Sequence, residues 1–130
     1  MEFTSEWRAI NSSPEKVFIF LSDLQNFGNL MPEQVINWAA DTDSCSFTIK
    51  GMTDLKLKVQ ERKPNSQISL VPDGKSPFSF TLDSNIRENN AGSDVKIVLN
   101  ADLNPMLAMM AKRPLQNLVN IIAEKLTQLL

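Results

Sequence analysis

From Val35 to Asp102 apolar and polar residues alternate with a period of two, and turn signals break the alternation about once per strand length. That pattern suits an antiparallel sheet with one face covered and one face wet. The breaks are Asp41-Thr42-Asp43, Gly51-Met52, Lys63-Pro64-Asn65, Pro72-Asp73-Gly74 and Asn89-Asn90-Ala91-Gly92. Each carries the Asn, Asp, Gly or Pro that tight connections need. Between the breaks, Cys45, Phe47 and Ile49 oppose Ser46, Thr48 and Lys50, and Leu55, Leu57 and Val59 oppose Lys56, Lys58 and Gln60. Ile68 and Leu70 continue the apolar side. Phe78, Phe80 and Leu82 then oppose Ser79, Thr81 and Asp83, and Val95, Ile97, Leu99 and Ala101 oppose Lys96, Asn100 and Asp102. Six consecutive strands are expected.

What covers the apolar face is set by the C-terminal run from Pro105 to Leu130. Leu115, Leu118, Val119, Ile122, Leu126 and Leu129 recur at helical spacing and form one stripe, while Gln116, Asn117, Asn120, Glu124, Lys125 and Gln128 lie between them. A long amphipathic helix follows, too polar to span a membrane. Pro114 is expected to break or kink it and set off a short turn around Met106, Leu107, Met109 and Met110.

Upstream, Glu2 to Ile10 alternates as one strand, with Phe3, Ser5, Trp7 and Ala9 on one side. A helix then starts, either with Ser13 as cap and Pro14 at the first helical position or with Ser12 and Glu15 as a capping box. Val17, Phe18, Leu21 and Leu24 form its buried stripe. Asp23 to Pro32 reads as a second short helix broken at Gly28 and stopped by Pro32. The expected class is α+β: strand, two helices, six strands, long helix. A seven-stranded antiparallel sheet of this length curls, so the last helix fills its concave side.

The 130 residues suit a single domain, 1–130. A net charge of −2 gives no reason to expect nucleic acid as a partner. The opening MEFTSEWRAI has acidic residues where a signal peptide needs basic and then apolar ones, and there is one cysteine, so a reducing cytoplasm is the expected location. With no histidine, no tyrosine and only Cys45, the usual metal clusters and the common neutral-pH bases are missing, and no metal site or cofactor is expected. No carboxylate pair or nucleophile with its base assembles on the inward parity, where the polar residues are Ser5, Ser84 and Asn37.

The element order resembles that of the START-related, or SRPBCC, superfamily over essentially the whole chain. The resemblance rests on Ser13-Pro14-Glu15-Lys16-Val17-Phe18 opening the first helix, Leu21-Ser22-Asp23 with Asn26 leading into the second, and Asn104-Pro105 starting the last. It implies a helix-grip fold, a curved sheet around the terminal helix with a hydrophobic cavity between. The superfamily spans lipid and sterol carriers, polyketide cyclases and aromatases, hormone receptors, oxygenase domains and co-chaperones, so the resemblance leaves activity open. A cyclase or aromatase, or a co-chaperone-like interaction module with a filled core, are the alternatives it carries.

On this reading Trp7, Phe47, Leu57, Phe80, Leu82, Ile97 and Leu99 from the sheet face Leu115, Leu118 and Ile122 from the helix. These residue types serve a solid core and a pocket equally well. Met106 and Met110 are expected at the mouth, which the resemblance puts at this end of the helix, as adaptable gate or core filler. Lys56, Lys58, Arg62 and Lys63 form a basic cluster, a solvated strand face or a dock for an acidic partner; Cys45 is expected to be buried and inert. The expected partner is a small hydrophobic molecule, such as a lipid, isoprenoid or aromatic metabolite, bound without membrane insertion by a monomer or weak homodimer.

Overall fold

A computed structural model describes the protein over residues 1–130. Its elements in order are β1 (Glu2–Thr4), β2 (Arg8–Ile10), α1 (Pro14–Ser22), α2 (Leu24–Phe27), a 3-10 turn (Gly28–Leu30), β3 (Val35–Ala40), β4 (Ser44–Ile49), β5 (Thr53–Lys63), β6 (Gln67–Pro72), β7 (Phe80–Asn89), β8 (Gly92–Ala101) and α3 (Pro105–Leu129). The strands form one antiparallel sheet in the order β1-β8-β7-β6-β5-β4-β3, with β2 also on β8. The six strands expected after Val35 are β3 to β8, each paired with the next, through short turns except for the longer irregular connection between β6 and β7.

The first strand is split where one was expected. Thr4 pairs with Val98 and Arg8 with Val95, so the three residues Ser5 to Trp7 stand opposite only two, Lys96 and Ile97. This is a β-bulge. The Ser5 hydroxyl accepts from the buried Ile97 amide at 2.9 Å and so replaces a backbone carbonyl in the ladder. The extra residue inverts the parity beyond it. Phe3 and Ile10 point inward, while Trp7 is turned away from the core.

The helices follow their local signals. Ser13 is the cap of α1, its hydroxyl accepting from the Lys16 amide, with Pro14 at the first position. Asp23 caps α2 through the Gln25 amide, and the Asn26 side chain donates back to the Phe20 carbonyl, tying the two helices together. Gly28 is needed because Trp38 lies against it: a Cβ there would sit 2.6 Å from the indole nitrogen.

α3 runs unbroken through Pro114, and the expected separate turn does not form. The bond that proline omits would have gone to the carbonyl of Met110, a half-exposed residue on the open face of the helix. Ala111, Leu115, Leu118, Val119, Ile122, Ala123 and Leu126 are buried against the sheet; Leu129, expected in the stripe, has run past its edge and is exposed. Burying each leucine or isoleucine contributes roughly 2 kcal/mol. Polar ties fix the angle of the helix: Gln116 donates to the Thr4 carbonyl at 2.9 Å and Lys125 Nζ to the Met31 carbonyl at 2.7 Å.

Arg62 is the second place where a bulge, between Val59 and Glu61, redirects a side chain. It leaves the basic face of β5 and donates to the Ser22 carbonyl at 2.7 Å, the Thr42 carbonyl at 3.1 Å and Asp43 Oδ1 at 2.8 Å. It thereby holds the end of α1 on the β3–β4 turn. Asp43 is well exposed, so the carbonyl bonds carry more of the stabilisation than the ion pair. Arg62→Ala is expected to lower unfolding free energy by about 2 kcal/mol in a urea titration; an unchanged midpoint would show that the clamp is idle.

Candidate functional site

At the concave centre nine apolar side chains meet around a void: Phe47 on β4, Leu55 and Leu57 on β5, Phe78 in the β6–β7 connection, Phe80 and Leu82 on β7, Leu99 on β8, and Leu115 and Leu118 on α3. Strand register brings them together, since Phe47 pairs with Leu55 and Leu82 with Leu99. The void is about 10 Å³, the room of about one water. The large cavity implied by the resemblance is therefore closed, filled by phenyl rings and leucines. The Phe78 and Phe80 rings pack with centroids 5.5 Å apart.

Of the expected lining, Phe47, Leu57, Phe80, Leu82 and Leu99 surround this void. Trp7, Met106 and Met110 do not. Trp7 is 37% exposed on the outer face, put there by the bulge at Ser5. Its ring carries the Arg87 guanidinium at 4.0 Å and the Lys96 ammonium at 5.9 Å. Arg87 also pairs with Asp94 at 3.0 Å, and the Asn89 amide, with Arg87, holds the Asp94 carboxyl below its ordinary range. Met106 and Met110 are 74% and 51% exposed, and Met109 beside them 85%. These methionines are neither core filler nor lining, because they point away from the stripe that α3 buries.

Sequence reasoning missed Phe78 and Leu55 as lining. Phe78 was legible as apolar and inward, but it precedes β7 in an irregular stretch, so alternation alone does not place its ring. Among the expected inward polar residues, Ser5 and Ser84 are buried but outside the lining, and Asn37 is exposed at a positive φ of 57° in irregular β3, its side chain donating to Thr48 Oγ1. No buried side-chain polar atom lacks a hydrogen-bond partner, so no orphaned group points into the interior. No group of three or more His, Cys, Asp or Glu residues is arranged to hold a metal.

No protein-family model and no curated protein matches the chain. Among solved structures the fold is START-like. A START superfamily protein from Mycobacterium smegmatis aligns with a TM-score of 0.68 at 15% identity, covering 99% of each chain. The KanY protein aligns at 0.77 and a protein from Thermus thermophilus at 0.75, each with 14% identity over 98% of this chain and 95% of the other. At such identities the likeness establishes the helix-grip architecture. No helix is long and apolar enough to cross a membrane.

Cys45 lies inward on β4, and burial pushes its thiol up to about 12. The folded pKa is raised, so the thiol stays protonated while an unfolded one ionises near its ordinary value. At about pH 8 the native protein is expected to leave a thiol-disulfide exchange reagent unreacted, and the urea-unfolded chain to react fully. Fast modification of the native thiol would contradict its burial.

Proposed function

We propose that the protein holds a small apolar or amphipathic molecule, such as a lipid, isoprenoid or aromatic metabolite, between the sheet and α3. The observation that carries this reading is the all-apolar meeting of nine side chains from the sheet, the β6–β7 connection and α3 at the concave centre. Such a lining gives affinity through burial, about 25 cal/mol per Å², and offers no group to move a proton.

A ligand pocket ordinarily occupies about 300–1,000 Å³, so the void widens before a guest fits. Phe78 is the side chain best placed to yield. It sits in the connection between β6 and β7, outside the strand ladder, whereas the other lining residues belong to strands or α3. The closed form is then the resting member of a pair of states, and the guest stabilises the open one.

A second reading has its own observation. A filled interior together with Met106, Met109 and Met110 exposed at i, i+3 and i+4 on α3 is what an interaction module presents to a partner. The two readings separate in one experiment. If the interior is the site, Phe78→Ala tightens binding of the neutral dye phenylnaphthylamine about tenfold, because the side chain that must move is gone. If dye binding is lost on Met109→Glu and insensitive to Phe78→Ala, the methionine face is the binding surface, and absence of dye binding in both wild type and Phe78→Ala counts against the interior site.

A further inference from the structure

The apolar void shares one stretch of α3 with a polar groove. Arg113, Pro114 and Asn117 line an open groove of about 500 Å³ together with Gln34 and Lys50, the latter just after β4. Leu115 and Leu118, on the adjoining flank of the same turns, line the void. On the sheet side Lys50 stands three residues along the chain from Phe47, about 10 Å away. Buried Ile49 lies between them.

The groove is chemically one-sided. No carboxylate lines it. Lys50 and Arg113 take no part in an ion pair, the two in the protein being Arg62–Asp43 and Arg87–Asp94. Lys112 is a neighbour of Arg113, and no Asp or Glu occurs from Leu103 to Ala123, although the whole chain has net charge −2. The two amide side chains are held in place: Asn117 Nδ2 donates to Gln34 Oε1 at 2.8 Å, and Gln34 Nε2 to the Pro114 carbonyl at 3.3 Å. Each of those nitrogens keeps a second hydrogen free. Two cationic side chains and two amide side chains with a spare hydrogen each therefore line the groove.

We infer that the guest is an amphiphile with an anionic head, a carboxylate or phosphate, seated between Lys50 and Arg113 while its apolar chain passes Ile49 into the void. This rests on the carrier reading proposed above. It adds the ligand's head group and its direction.

The test is a calorimetric titration of decanoic acid, decyl phosphate and decanol into the wild type, a Lys50→Gln/Arg113→Gln variant, and a Lys56→Gln/Lys58→Gln control of equal charge on the outer face of β5. Circular dichroism checks that each variant is folded. The wild type and the control are expected to bind at least one of the two anions about tenfold more tightly than the alcohol. The groove variant is expected to lose that preference while keeping its affinity for decanol, and the tighter anion assigns the head as carboxylate or phosphate. Equal binding of acid, phosphate and alcohol by the wild type, or a preference that survives in the groove variant, overturns the inference and leaves the carrier reading standing. Failure of all three amphiphiles to bind overturns both.

Discussion

The apolar stripe of α3 and the inward face of the sheet bury each other, and the rest of the structure depends on that exchange. Neither is stable alone: an antiparallel sheet with one bare apolar face associates, and a lone helix lacks the packing that stabilises most protein helices. Together they close the interior around Leu115, Leu118, Ile122 and Leu126. The polar ties from Gln116 to Thr4 and from Lys125 to Met31 contribute less than the apolar burial but fix where the helix lies. That position decides which side chains meet at the concave centre and which are left outside.

Period and punctuation made most of this legible from residues alone. Alternation after Val35 placed β3 to β8, because residue parity survives wherever the ladder is regular. The errors concentrate where regularity fails. Trp7 lies in one bulge and Arg62 follows another, and one extra residue reverses the side on which everything beyond it points. The methionines of α3 defeat sequence reasoning differently: apolar side chains are ordinarily covered, but Met106, Met109 and Met110 lie on the face of the helix opposite the stripe through Ala111, Leu115 and Leu118, and nothing packs on that face. Pro114 illustrates a third limit. Its cost depends on whether water can reach the carbonyl it leaves without a partner, which composition does not reveal.

The site was half legible for the same reason. Phe47, Leu57, Phe80, Leu82 and Leu99 lie in regular strands, so their convergence followed from parity; Phe78 lies outside any strand, and its ring closes the interior. Whether such residues make a core or a pocket is a matter of volume, and the volume here is that of a filled core. An apolar centre with one wall outside the strand ladder, a groove of donors beside it and exposed methionines on the same helix all lie along the N-terminal half of α3.

The most direct measurement is methyl NMR on the protein with labelled leucine and methionine side chains, recorded before and after addition of a neutral apolar ligand. Admission between sheet and helix predicts large shift changes at Leu55, Leu57, Leu82, Leu99, Leu115 and Leu118, with Met106 and Met109 little moved. Changes confined to the methionines, with every one of those leucines unperturbed at saturating ligand, would contradict an interior site.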